Sequence, residues 1–135
     1  MDSITQSGGS AAFYPVDVTN QESVAALHEH ILKEYGRLDA AVNNAGMSST
    51  FQPFHVTPVG DLDLMYNLNL KGTFLCMQEQ IKIMLDQDKQ GEAGRRGTII
   101  NMSSMTGLIG VPYAAPYSST KHAVNLSQSS SQNHR

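Results

Sequence analysis

Cysteine is nearly absent from this sequence. Cys76 stands alone, which excludes an internal disulfide and any cysteine-based zinc cluster. Charge is also scarce: charged residues make up 16% of the chain, the formal net charge is -3, and no basic block occurs. A nucleic-acid partner is therefore not expected. No apolar run approaches the roughly 18 residues that a membrane helix needs. The opening "MDSITQSGGSAAF" has neither a basic n-region nor a long apolar stretch, so it does not read as a secretory signal. Together these absences point to a cytoplasmic protein with no membrane partner.

What is present suits one globular domain. The chain has 135 residues, of which 40% are hydrophobic, enough for a sizeable core. Cys76 lies in the apolar run "TFLCMQ" and reads as a buried, inert thiol. His28 and His30 are two apart on an expected helix and do not share a face, so no metal site is expected. His55 falls in an expected loop, and His122 adjoins Lys121 on another side of its helix.

The order of elements is regular. "AAFYPVDV" (Ala11 to Val18) is short, apolar and β-rich, so it reads as a strand, with Pro15 placing it near an edge. "TNQESVAALHEHILKEYG" follows as a helix, with Thr19 and Glu22 spaced as a capping box and Gly36 as its stop. A second strand runs through Val42 into "NNAG". Val59 to Asp88 reads as one long helix, interrupted by Gly72 and its preceding Asn residues. A third strand, Thr98 to Ser104, leads through a Gly/Pro-rich loop into a last helix. Strands alternating with crossover helices predict an α/β fold with a parallel sheet.

Ligands in such sheets bind beyond the carboxyl ends of the strands. Those ends are Asp17-Val18, Asn43-Asn44-Ala45-Gly46 and Ser103-Ser104, all small or hydrogen-bonding residues. In "PYSSTKHAV" (Pro116 to Val124), Tyr117 and Lys121 are one helical turn apart and share a face. A tyrosine hydroxyl ordinarily titrates near 10, and a nearby cation favours its phenolate form, which suits proton transfer near neutrality.

The pieces "DVT" (Asp17 to Thr19), "GRLDAAVNNAG" (Gly36 to Gly46), "NLKGTF" (Asn69 to Phe74), "GTIINMSS" (Gly97 to Ser104) and "YSSTK" (Tyr117 to Lys121) occur in one order. In this the chain resembles the compact short-chain dehydrogenase/reductases. The resemblance implies a Rossmann-like doubly wound parallel sheet in three αβα layers, and an oxidoreductase using NAD or NADP on a small alcohol or carbonyl substrate. It implies a catalytic set of Asn69, Ser104, Tyr117 and Lys121, with Ser104 thirteen residues before Tyr117. Lys121 would also hold the cofactor ribose, and Asn69 would link the lysine to a proton relay through water. Asp17 and Val18 would line the adenine; Asn43, Ala45 and Gly46 would pass beside the cofactor. Homo-oligomers are implied for full-length family members.

The resemblance is incomplete. "SGGSAAF" and "GEAGRRG" both precede strands, so neither satisfies the context of a phosphate-binding glycine loop. In the strand order 3-2-1-4-5-6, two absent strands would separate Ala11–Val18 from the next strand by roughly 14 Å. The expected organisation is a disordered segment over 1–10, a partial domain over 11–125, and a frayed Ser/Gln-rich tail over 126–135. Two readings follow: the catalytic segment of an oxidoreductase, or a non-catalytic fragment that binds a partner at most.

Overall fold

The computed structural model describes residues 2–48, 50–92 and 94–131. A short helix, α1 (Asp2–Gln6), occupies part of the segment expected to be disordered. Residues 9–16 are irregular, so the strand expected over Ala11–Val18 is not formed. A strand exists only by pairing. The sheet does not reach this segment, and Pro15 has no N–H to offer it.

Helix α2 (Gln21–Tyr35) begins one residue later than a Thr19 cap would place it. Its N-cap is Asn20, whose Oδ1 accepts the Ser23 N–H at 2.9 Å. The expected capping box is replaced because Thr19 is engaged elsewhere: its N–H and hydroxyl donate to Asp17 Oδ1 at 2.9 and 2.8 Å. Asn caps at least as well as Thr. Gly36 ends the helix in the left-handed region, φ 76°, with its N–H on the Leu32 carbonyl.

Strands β1 (Ala40–Asn43) and β2 (Thr98–Asn101) pair in parallel, from Ala40 opposite Thr98 to Asn43 opposite Asn101. The long crossover between them is not one helix. It comprises α3 (Val59–Met65), a π-helical stretch over Tyr66–Gly72, and α4 (Thr73–Asp86). Helix α5 (Ala115–Ser131) carries on past the expected boundary at 125. The last part of the expected frayed tail, 132–135, lies outside the described residues.

Helix α4 packs against both strands. Ala41, Asn43, Ile99 and Asn101 are the more buried alternate positions. On the opposite face Val42 and Ile100 remain 59% and 48% exposed, so the described residues leave that face open. One core cluster joins Val24 of α2 to Leu75 and Cys76 of α4, with Val18 packed against it. A Cβ on Gly72 would lie 3.0 Å from Val18 Cγ2, so the glycine lets Val18 approach α4 closely. No described helix is long and apolar enough to cross a membrane.

Candidate active site

Two strand ends and two helices converge on Gly46. A Cβ placed there would meet Asn69 Oδ1 at 3.0 Å and Lys121 Nζ at 3.5 Å. The "NNAG" turn, the crossover and the last helix therefore meet at one point, and a side chain at position 46 would crowd it.

Asn69 reaches this point from the π-helical stretch. A π turn adds a residue per turn and recurs at functional sites. At its end the Thr73 hydroxyl donates to the Asn69 carbonyl at 2.8 Å. The Asn69 side chain is fully buried. Oδ1 accepts the Met47 N–H and Nδ2 donates to the Met47 carbonyl, both at 2.9 Å. Nδ2 also lies 3.3 Å from Thr120 Oγ1, whose hydroxyl donates to the Tyr117 carbonyl at 2.9 Å.

Lys121 is 5% exposed. Its Nζ donates to the Met102 carbonyl, just past the end of β2, at 2.7 Å. Burial pulls the Lys121 ammonium below its usual value. No carboxylate pairs with it among the described residues. Nζ lies 5.8 Å from the centre of the half-buried Tyr117 ring, as their shared helix face requires.

Ser104 caps a short 3-10 turn, Met105–Gly107, and its Oγ accepts the Thr106 N–H at 3.2 Å. That turn is pressed against α5. A Cβ on Gly107 would lie 2.8 Å from the Lys121 carbonyl, and Asn125 Nδ2 donates to the Gly107 carbonyl at 2.8 Å. Ser103 donates to the Lys121 carbonyl at 3.2 Å. Ser104 is thus held beside the helix of Tyr117 and Lys121.

The other sequence-predicted residues are arranged differently. Asn43 turns inward: its amide exchanges two hydrogen bonds with Gln80, at 3.0 and 2.8 Å, and donates to Asn101 Oδ1 at 2.7 Å. Its side chain ties the strand ends to α4. Val18, Asn43 and Ala45 line a groove of about 360 Å³ along β1, walled on the other side by α2. Asp17 is exposed, and the two bonds from Thr19, hydroxyl first, hold its carboxyl below the usual value. Gly91 and Gly94 belong to a turn closed by a Gln90–Arg95 antiparallel bridge ahead of β2, so they form no phosphate cradle.

Sequence reasoning missed Thr120 and Gln80. Gln80 had a signal: it is a polar residue on the buried stripe of α4 that holds Met77, Ile83 and Met84. A buried amide implies a buried partner. Thr120 gave no comparable signal, because Ser and Thr are common on helix surfaces.

The 2,5-dichloro-2,5-cyclohexadiene-1,4-diol dehydrogenase of Sphingobium indicum is 36% identical over 121 residues, which are 90% of this chain and 46% of that enzyme. The 3beta-hydroxysteroid dehydrogenase of Mediterraneibacter gnavus is 36% identical over 89% of this chain and 41% of its own. Among solved structures, ElxO with NADP bound superposes with a TM-score of 0.75 at 42% identity, over 84% of this chain and 43% of that one. NAD+-bound xylitol dehydrogenase gives 0.86 at 28% identity, over 96% and 47%. The chain spans about half the length of the curated relatives it matches. A family model described as short chain dehydrogenase matches residues 1–134, and with the convergence at Gly46 this makes the chain a member of the short-chain dehydrogenases.

Proposed function

We propose that this chain carries the acid/base centre of an oxidoreductase that moves a hydride between NAD or NADP and a small alcohol or its ketone. The approach of Asn69 and Lys121 to Gly46 is the observation that carries this reading. The diol and hydroxysteroid named for the relatives' enzymes support that substrate class.

The residues present fit the nicotinamide and ribose half of such a cofactor. Lys121 has three N–H donors and uses one on Met102, which leaves donors for ribose hydroxyls. The bare Cα of Gly46 lets Asn69 and Lys121 come up close against the turn. The diphosphate is not provided for: neither glycine-rich stretch opens a helix among the described residues. Bound, the cofactor accepts or supplies the hydride.

In the oxidising direction the alcohol O–H proton passes to the Tyr117 oxygen. The carbinol C–H bond breaks with its electron pair leaving as hydride, and the C=O bond forms. The Lys121 ammonium lies 5.8 Å from the centre of the Tyr117 ring, a positive charge on the same helix face. Ser104 Oγ accepts from Thr106 and has its own proton to give the substrate oxygen as charge changes there. Asn69 fixes Met47, and with it the turn at Gly46, against α5.

With no diphosphate cradle among the described residues, a second reading is that this stretch is non-catalytic by itself. Titrating the purified chain with NADH and with NADPH, while following nicotinamide fluorescence, separates the two. Enhanced emission that saturates supports the site. A flat titration to millimolar cofactor sinks the enzymatic reading for this chain.

A further inference from the structure

Strand β1 pairs on one side only: it and β2 make up the whole sheet among the described residues. The Thr98 N–H donates to the Asp39 carbonyl and the Met102 N–H to the Asn43 carbonyl, each at 3.0 Å, so Asp39 and Asn43 face β2. Backbone groups alternate in direction along a strand, so the N–H and C=O of Ala40 and Val42 point to the other edge. No described strand meets them there. The sequence of β1 is Ala-Ala-Val-Asn in regular register, with none of the lysine, proline or bulge that commonly blocks an exposed edge.

The groove of about 360 Å³ runs along this edge. Every residue from Ala40 to Ala45 lines it, and no residue of β2 does. A groove laid over one face of the sheet would instead touch alternate residues of both strands. Its walls are α2, through Leu27 and Ile31, and α4, through Gly72 and Cys76. Leu27 and Ile31 are only half-buried, so their apolar surface is still open to an occupant. No Asp, Glu, Lys or Arg lines the groove. His28 does, with its Nδ1 at 2.8 Å from the Val24 carbonyl.

We infer that this groove takes an extended peptide strand from outside this chain, which pairs with Ala40 and Val42 and turns uncharged, apolar side chains at alternate positions toward Leu27 and Ile31. Such a strand continues the ladder that β1 already makes with β2. Its backbone meets the free N–H and C=O groups of the edge, which an apolar small molecule would leave unmet. Its alternate side chains cover the apolar walls. A second copy of this chain would bring its own β1 flanked by α2 and α4, and the walls of this groove obstruct those helices. The curated relatives carry more than half of their length outside the matched stretch, so further polypeptide accompanies it in each of them. The docked strand would reach Asn44 and Ala45, next to Gly46, yet the pairing does not rest on the oxidoreductase reading.

The test uses the 135-residue chain, labelled with nitrogen-15 for NMR, and a peptide of alternating valine and threonine held soluble by flanking lysines. Two controls keep its length and charge: one with every backbone amide between the lysines N-methylated, and one with serine for each valine. The parent peptide should bind and slow hydrogen exchange at the Ala40 and Val42 amides by about tenfold or more, with less change at Ala41 and Asn43, which face β2. Either control should bind about tenfold or more weakly. Ala40→Pro removes an edge N–H at the first residue of β1, where proline is tolerated, so affinity should fall several-fold while Tm holds. Ile31→Gln makes one wall polar and should weaken binding in the same direction. No binding of the parent peptide at millimolar concentration, equal binding of either control, or unchanged affinity in Ala40→Pro overturns the inference. So does a peptide-free dimer in which Ala40 and Val42 already exchange slowly, because the edge would then belong to a second copy.

Discussion

The side-chain amide of Asn69 holds both backbone polar groups of Met47, accepting its N–H and donating to its carbonyl at 2.9 Å each. This pair of bonds imitates one rung of a sheet between the crossover and the "NNAG" turn. Asn69→Ala would leave both Met47 groups to find water and would empty a buried polar site. The expected loss is on the order of 1–3 kcal/mol in urea denaturation. A loss under about 0.5 kcal/mol, the size of a neutral surface change, would mean that the clamp contributes little.

Gly46 tests the same contact from the other side. Its added Cβ would sit 3.0 Å from Asn69 Oδ1, an atom that Met47 prevents from yielding. Gly46→Ala should therefore cost about 1–3 kcal/mol, as overpacking does. With Asn69→Ala already in place the obstruction is gone, so the second substitution should cost much less. Additive losses in this double-mutant cycle would show that the crowding is not with Asn69.

Much of this arrangement was legible in the sequence, and what was not has identifiable causes. Tyr117 and Lys121 are one turn apart on a helix, so a spacing of four fixes their relation before any tertiary contact forms. The parallel pairing of β1 and β2 followed from two short apolar runs joined by a long helical crossover. The π-helical stretch was not legible, because Asn69 and Gly72 interrupt an apolar stripe without stating how the backbone answers. The strand over Ala11–Val18 was read correctly as apolar and β-rich, yet propensity supplies no partner. The cap was misread because Thr19 and Asn20 are both good caps, and only the carboxyl of Asp17 decides which is free.

That carboxyl gives a measurable consequence. Asp17 receives two bonds from Thr19, and the hydroxyl contributes most to its lowered pKa. The sign is that of a stabilised carboxylate: its contribution is present above the ordinary value of 3.8 and fades as pH falls through the folded value. Thr19→Val removes the hydroxyl and keeps the N–H. The Asp17 carboxyl, followed by carbon NMR, should then titrate closer to 3.8. An unmoved titration would assign the shift to the backbone bond alone.

Lys121 should show the opposite balance, with the proposed site cation maintained at a cost in stability. Its pKa is lowered from 10.5 by burial, so the unfolded chain holds the proton more tightly than the folded one. Between the folded value and 10.5 the unfolded state binds more protons, and stability rises with pH across that window. Below the folded value the full penalty of a buried cation applies. Lys121→Met fills similar space without charge and gives up one bond, to the carbonyl of Met102, a residue 46% exposed. The variant should be more stable than the parent at pH 7 by on the order of 1 kcal/mol. Its advantage should shrink as pH approaches 10.5, because the parent sheds its buried charge there. Comparing the two chains by urea denaturation at pH 7 and pH 10 cancels the titration of the tyrosines they share. A difference that is the same at both pH values would remove burial of the Lys121 charge as its cause.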